Sequence, residues 1–138
     1  MDAARRDLVR RRAENRCEYC LLPQEHSDLT HHIEHIVARQ HGGSDGDDNL
    51  ALACHRCNLR KGPNLTGIDP FTGELVPLFH PRRDEWNIHF RWQGVHIEGV
   101  TPVGRATVQV LAMNDARRLE LRMELVMLGG LPRTAPRD

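Results

Sequence analysis

The chain has 138 residues, a formal net charge of zero, 39% hydrophobic residues and only 4% aromatic residues. This length allows one modest domain and excludes two independent cores, and the thin core that this composition predicts usually needs a cross-link. No stretch approaches the roughly 20 apolar residues of a membrane span, and the arginine-rich start of the chain lacks the apolar region of a secretory signal. We therefore expect a soluble, cytoplasmic protein with no membrane partner.

The N-terminal half predicts a helix, then two extended segments, then a second helix. Residues 2–14 are rich in helix formers, and residues 30–37 (THHIEHIV) have β-branched and apolar residues near alternate positions, as in a strand. The glycines of residues 41–46 indicate a loop. Residues 49–53 read as a short extended segment, and residues 58–61 as a helix that a Gly-Pro pair ends.

The C-terminal half predicts a loop, a hairpin and two helices. Residues 64–82 contain several prolines and glycines and indicate a connecting loop, whereas residues 87–100 form two apolar-polar runs that meet at a Gln-Gly turn. Thr101 and the proline after it favour the start of a helix that reaches about Met113. Asn114 then caps a second helix, which ends before a Gly-Gly pair.

These elements predict one domain with two parts. Residues 1–63 form a core, and residues 64–130 form an extension that packs on this core. Residues 131–138 form a flexible tail.

Two Cys-x-x-Cys pairs supply four thiols: Cys17, Cys20, Cys54 and Cys57. Four soft sulfurs suit tetrahedral zinc, and a site with four protein ligands has no open position, so this zinc would be structural. A redox dithiol or an iron–sulfur centre remains the alternative. The pairs are further apart than the roughly 15–20 residues of a simple zinc ribbon. A zinc ion bound by both pairs would therefore hold together the two ends of the unit that lies between them.

The motifs around this unit run, over residues 16–62, in the order Cys-x-x-Cys, Glu-His-Ile, Gly-Gly-Ser, Asn-Leu-Ala-Leu-Ala-Cys-x-x-Cys-Asn and Lys-Gly. This order resembles the zinc-containing HNH endonucleases, although Val-Ala stands where the family more often has proline. The resemblance implies an α+β fold with a ββα-metal core (the His-Me finger). It also implies hydrolysis of DNA, rather than RNA, that leaves 3′-hydroxyl and 5′-phosphate ends.

By position, the resemblance implies that His35 is the general base, that Glu34 and Asn58 bind a catalytic Mg²⁺ or Mn²⁺, and that Asn49 orients the base. The residue types agree with these roles, because carboxylate and amide oxygens suit these cations and imidazole accepts protons at neutral pH. Adjacent strand residues point to opposite faces. Glu34 and His35 therefore need a twist or bulge to act together.

Further residues near this unit are candidates for phosphate or DNA contacts, which position a nucleic acid without reading its sequence. They are His32, His41, Arg56, Arg60 and Lys61. His32 lies two residues before Glu34 on the same strand face, so it is alternatively a third metal ligand. Most cations of the chain are arginines, which suit bidentate phosphate contacts.

Two other functions fit part of the pattern. His32-Ile33-Glu34 followed by the second cysteine pair is similar to the signature of zinc deaminases, but Ala53 replaces their proline and the first cysteine pair would have no role. A zinc-bound nucleic-acid adapter that does not cut would keep the cysteines and arginines. It would have no need for the acid, imidazole and amide together.

Three motifs follow the predicted loop: Phe79-His80-Pro81-Arg82, Trp86-x-x-His89-Phe90-x-Trp92 and Gly104-Arg105-Ala106-Thr107. Together they resemble an extension of some bacterial HNH proteins. Its aromatic residues supply most of the large apolar surface, and we expect them to pack against the N-terminal helix. A second hypothesis is that polar and aromatic residues of this segment face the substrate. They are Arg82, Arg83, Trp86 and His89.

Overall fold

The computed structural model describes residues 1–129 and begins with helix α1, Ala3–Arg12. The helix starts at Asp2, whose carboxylate accepts a hydrogen bond from the Arg5 N–H at 2.8 Å, as expected of an N-cap. Its last turn carries three arginines, and positive charge there is favourable beside the helix C-terminus. The predicted helix at residues 2–14 is thus confirmed, with slightly shorter bounds.

An antiparallel hairpin and a short helix follow. Strand β1 (His32–His35) pairs with β2 (Leu50–Ala53), and helix α2 (His55–Lys61) follows at once. The strand is shorter than the predicted 30–37. The helix starts three residues before the predicted 58, because the Cys54 sulfur caps it by accepting from the Cys57 N–H. This order gives the ββα arrangement that the sequence predicted.

The two faces of this hairpin pack against different partners. Leu50 and Leu52 lie on the face toward α1, with Val9 and Ala13. The alternate residues of β2, by contrast, belong to a larger core with the cysteines and the aromatic residues of the extension. Since successive strand residues alternate between faces, neighbours along β1 also face different surroundings.

The extension consists of a hairpin, a helical turn, a second hairpin and two helices. Its elements are β3 (Thr66–Ile68), β4 (Leu75–Pro77), α3 (Trp86–His89), β5 (Phe90–Gln93), β6 (His96–Gly99), α4 (Pro102–Val110) and α5 (Ala116–Met127). The strands pair in order as two antiparallel hairpins, β3 with β4 and β5 with β6. None of the helices within residues 1–129 is long and apolar enough to cross a membrane.

The prediction of a plain loop at residues 64–82 was wrong, because this segment contains the β3–β4 hairpin. Its turn is organised by Asp69, whose carboxylate accepts from the Phe71 N–H at 2.9 Å and from the Thr72 hydroxyl at 3.0 Å. Both oxygens also accept from Arg105 of α4 at 2.9 Å. An ion pair between this buried carboxylate and a partly exposed arginine of a distant helix thus supports a hairpin whose apolar side chains are mostly exposed.

Two further boundaries differ from the prediction. The expected strand at residue 87 begins instead as the helical turn α3, and β5 starts only at Phe90. Helix α5 is capped by Asp115, not by Asn114. The Asn114 side chain instead bonds both the N–H and the carbonyl of Ile97, which attaches the α4–α5 connection to β6.

The aromatic residues of the extension pack on the first cysteine turn, not on α1 as predicted. Tyr19 and Phe79 meet edge to face with ring centroids 6.2 Å apart, and the Trp86 indole donates to the Tyr19 carbonyl at 2.7 Å. Tyr19 is buried, so its contacts with Phe79 and Trp86 lie inside the core. The division into residues 1–63 and 64–130 stays a prediction, and the predicted tail lies outside the described residues.

Candidate active site and metal centre

Four cysteine thiols meet in the interior, and their sulfurs all lie within 4.8 Å of one another. Cys20 Sγ and Cys54 Sγ are 3.6 Å apart. Sulfurs bound to a central Zn²⁺ at about 2.3 Å would be roughly 3.8 Å apart, so the spacing fits a tetrahedral zinc site. The N–H groups of Tyr19 and Cys20 donate to Cys17 Sγ at 3.4 Å, which holds the first turn around the site. The four cysteines can therefore bind a structural zinc ion.

The four cysteine side chains can bind zinc only as negatively charged thiolates, so positive charge is needed close to them. Burial raises the pKa of the Cys17 and Cys57 thiols well above that of an exposed cysteine. Four thiolates would carry four negative charges, and Zn²⁺ would balance only two of them. The arrangement therefore needs further compensation from the protein.

Arg118 of α5 supplies that compensation. Its Nη2 donates to Cys57 Sγ at 2.9 Å, and its Nη1 donates to the Leu111 carbonyl at 2.8 Å. Burial alone would lower the pKa of Arg118, but attraction to the thiolates, Cys57 first, raises it above its ordinary value. The C-terminal helix is thus bonded directly to the metal centre.

Glu34 turns toward α2 and is buried, with 6% of its surface exposed. One carboxylate oxygen accepts from the Tyr19 hydroxyl, and the other lies 3.6 Å from Lys61 Nζ. Lys61 also donates to the Ile36 carbonyl at 2.8 Å. Burial raises the pKa of Glu34, and the neighbouring lysine and tyrosine partly oppose this rise. Glu34 is therefore a buried carboxylate with an ammonium group beside it.

Asn58 lies at the same junction of β1 and α2. It is partly exposed and precedes Lys61 by three residues on α2. Side chains at this spacing share one face of a helix, so Asn58 lies on the face that Lys61 turns toward Glu34. Because β1 and α2 pack together, the Glu34 carboxylate and the Asn58 amide oxygen are available at one place in the fold.

His35 ends β1 on the other face, and 20% of its side chain is exposed. Its Nε2 lies 2.7 Å from Asp45 Oδ1, and Arg39 donates to the same oxygen at 3.0 Å. The hydrogen bond from His35, followed by that from Arg39, holds the pKa of Asp45 below its usual value. An ionised carboxylate only accepts hydrogen bonds. Nε2 therefore carries the hydrogen, and the lone pair of the neutral ring is on Nδ1.

The loop between the strands is fixed by Asn49. Its Oδ1 accepts from the Val37 N–H at 2.9 Å, and its Nδ2 donates to the carbonyls of Val37 and Ser44 at 2.9 and 2.8 Å. Gly43 packs so closely that an added Cβ would lie 1.7 Å from the Val37 carbonyl oxygen. The loop that carries Asp45 is therefore held by one amide and by a position that only glycine fits.

The remaining candidates lie mostly on the surface. His32 Nε2 is 3.3 Å from His55 Nδ1 at the cysteine end of the hairpin, while His41 and Arg60 are exposed. Arg56 is exposed and pairs with Asp115 at 3.7 Å. Phosphate contacts by these residues stay a prediction. Lys61 differs from them because its ammonium is an internal partner of Glu34.

Sequence reasoning missed three contributors: Tyr19, Asp45 and Arg118. Asp45 had a signal, since it directly follows the Gly-Gly-Ser loop near the candidate base. Tyr19 was hidden inside the first cysteine motif. Arg118 had no signal, because 61 residues separate it from Cys57 and α5 reads as an ordinary amphipathic helix.

Comparison with known proteins identifies the same segment. A family model described as HNH endonuclease matches residues 17–64. The match begins at the first cysteine of the metal centre and extends past Lys61, so it includes both strands and α2. No curated protein matches the chain, and no solved structure matches it either.

Proposed function

We propose, from the match of residues 17–64 to a family model described as HNH endonuclease, that the protein is a metal-dependent endonuclease that hydrolyses phosphodiester bonds in DNA. The observation that carries the proposal is the family match, because its segment contains the acid, the imidazole and both amides. The structure adds support, since Glu34 and Asn58 lie at one junction and His35 has an anchored ring.

His35 acts as the general base in this proposal. Asp45 accepts from Nε2–H, so Nδ1 takes a proton from the attacking water, and the resulting positive charge is stabilised by the ionised carboxylate. Arg39 holds Asp45 on one side, and Arg5 of α1 donates to the Asp45 backbone carbonyl at 2.7 Å. These contacts restrict the imidazole to one orientation, which lowers the entropic cost of the proton transfer.

The donor set fits a hard divalent cation. Glu34 and Asn58 offer oxygens, which Mg²⁺ and Mn²⁺ prefer, and such ions keep several water ligands. The ammonium of Lys61 opposes the effect of burial on Glu34 and favours its charged form. When bound there, the cation would stabilise negative charge on the phosphate and on the leaving 3′ oxygen.

The central test is cleavage of supercoiled plasmid with purified, zinc-loaded protein in the presence of Mg²⁺, Mn²⁺ or Ni²⁺, and without added metal. We expect nicking or linearisation that depends on the cation, and a loss of about 10²–10⁴-fold for His35→Ala. His96→Ala is the matched control, since His96 is an exposed histidine of the extension that lies outside the candidate site. Religation of the products by DNA ligase tests for 3′-hydroxyl and 5′-phosphate ends.

The non-catalytic adapter is the second candidate, and one observation favours it: Glu34 is already paired with Lys61 and Tyr19. An adapter would bind DNA without cutting it under any of these metal conditions. If the wild type and His35→Ala bind DNA equally and neither nicks it, the endonuclease proposal fails.

A further inference from the structure

A second cationic region lies outside the candidate active site, in a cleft of about 660 Å³. The cleft opens between the end of α1, the first cysteine turn and residues 79–87 of the extension. Four of its lining residues are arginines: Arg12, Arg16, Arg82 and Arg83. Its volume lies within the range of pockets that hold small ligands, about 300–1,000 Å³.

Glu18 is one of the residues that line this cleft. One of its carboxylate oxygens accepts from the Leu52 N–H at 2.8 Å, and the other accepts from Arg82. Arg12 donates to the Leu50 carbonyl. Both guanidinium groups are therefore anchored, directly or through Glu18, along the edge of β2 that does not pair with β1.

The positive charge of the cleft exceeds its negative charge. Beside the four arginines it has three acids, and two of these are engaged: Glu18 binds Arg82, and Asp84 accepts from the His80 N–H at 2.9 Å. Burial, followed by repulsion from Arg82, lowers the pKa of Arg12. Two cations are thus held close together in a partly desolvated place.

Both of these cations also have unused hydrogen-bonding capacity. Within the described residues, the Nε atoms of Arg12 and Arg82 are buried without a hydrogen-bond partner. Such an arrangement is unfavourable by itself, and an anion bound between the guanidinium groups would relieve the repulsion. Arg83 is exposed at the rim, where it can meet an incoming anion.

We propose that this cleft is a phosphate-binding site whose ligand is a backbone phosphate of the DNA, a few nucleotides from the bond that is cut. Arginines are suited to phosphate because their planar, forked donors match its oxygens and remain charged. This form of the proposal rests on the proposed nuclease function, whereas phosphate binding itself does not.

The position of the cleft supports this source of phosphate. Leu50, whose carbonyl Arg12 binds, is the partner of His35 in the hairpin. Because the Ile36 N–H donates to the Asn49 carbonyl at 2.8 Å, His35 and Leu50 form the next, non-hydrogen-bonded pair, in which the Cα atoms are about 4.5 Å apart. Arg12 is therefore anchored one strand away from His35, so that one DNA backbone can contact both His35 and the cleft.

The test measures binding without cleavage. Full-length, zinc-loaded protein with His35→Ala is titrated, without added divalent metal, into a fluorescein-labelled 20-bp DNA duplex at several salt concentrations. We expect Arg82→Gln and Arg83→Ala each to weaken binding about tenfold, and to reduce the slope of log K against log salt by about one. Arg11→Ala is the matched control, since Arg11 is a highly exposed arginine of α1, and it should change neither quantity.

A second arm uses inorganic phosphate and pyrophosphate, with the thermal unfolding midpoint as readout. Stabilisation of the parent protein, reduced in Arg83→Ala, would show that the cleft accepts free phosphate as well as DNA. DNA binding that is weakened without this stabilisation would restrict the ligand to the backbone. Arg83 is exposed, so Arg83→Ala remains informative even if Arg82→Gln fails to fold.

The proposal is overturned if Arg83→Ala and every folded Arg82 variant retain the parent's DNA affinity and salt dependence. Failure of the nuclease proposal is a separate result, because it would appear as wild-type protein that binds DNA through the cleft arginines but never cuts it.

Discussion

The two ends of the β1–β2 hairpin are built for different tasks. At the end beside Ala53, buried sulfurs converge and Arg118 completes their surroundings. At the end beside Leu50, His35 is partly exposed and bonded to Asp45 on a surface loop. One end is closed on all sides and the other is open to solvent.

This difference matches the two kinds of metal chemistry. A structural metal needs a full set of protein ligands, whereas a catalytic metal keeps positions for water and substrate. The hairpin connects the two, since the strands are only four residues long. We therefore expect that damage to the closed end affects both ends, and that damage to the open end lowers cleavage but leaves zinc binding intact.

The largest effect should come from losing zinc. Cys54→Ser should abolish cooperative folding, because structural zinc in zinc-finger peptides contributes about 10–16 kcal/mol, which matches or exceeds the whole stability of a typical domain, about 5–15 kcal/mol. Zinc content and thermal unfolding by circular dichroism measure this. Chelation of the wild type followed by zinc addition is the control. An unchanged unfolding midpoint in Cys54→Ser would show that the closed end needs no metal, and would contradict the contrast drawn between the two ends.

A smaller effect at the closed end should follow from Arg118→Met. Removing one partner of a buried charged pair typically costs about 3–5 kcal/mol, and the Leu111 carbonyl also loses its donor. We expect lower stability in urea and faster zinc release to a chromogenic chelator, with DNA cleavage retained in excess zinc. Arg117→Met, on the exposed side of α5, should behave as wild type. Equal zinc release from both variants would contradict a role for Arg118 at the metal centre.

At the open end, Gly43→Ala should separate catalysis from zinc binding. The new Cβ would collide with the Val37 carbonyl, and overpacking of this kind costs about 1–3 kcal/mol. We expect cleavage to fall about 100-fold, because small displacements of reacting groups have effects of this size, while zinc content stays normal. Gly46→Ala is the matched control, since its Cβ would meet only side-chain atoms. Loss of zinc from Gly43→Ala would show that the two ends are not separable.

The smallest effect should come from Asp45→Asn. An amide can still contact His35 but loses the charge that stabilises the imidazolium, so we expect kcat to fall about tenfold, a part of the 10²–10⁴-fold contribution of a general base. KM and thermal stability should not change, because Asp45 is exposed. Asp47→Asn, in the same loop, provides the comparison. If both variants have wild-type kcat, Asp45 does not position the base.

Much of the core could be predicted from the sequence because its signals are local. The cysteine spacing indicates a metal site by itself, and the Asp2 and Thr101 caps mark where helices begin. Asn49 was singled out from its place in a motif; its amide bonds the backbone of Val37 and Ser44, while its role in orienting the base stays a prediction. Such features depend on residues a few positions apart, so backbone geometry alone brings their atoms together.

The structure of the extension was harder to predict, since it depends on contacts between residues that are far apart in the sequence. The β3–β4 hairpin buries few apolar side chains and is supported by the ion pair between Asp69 and Arg105, which no local pattern reveals. The aromatic residues were expected on α1 but pack on Tyr19, because burial of apolar surface has no direction and the sequence does not say which surface is offered.

What the sequence alone determined is the inventory: four thiols, an acid, an imidazole and two amides, in an order that places them on a ββα unit. What only the tertiary structure decided is how these groups are charged and held. Asp45 reaches His35, Lys61 reaches Glu34 and Arg118 reaches Cys57. The physical reason is that electrostatic interactions depend on distance through space and on burial, and the spacing of residues along the chain determines neither quantity.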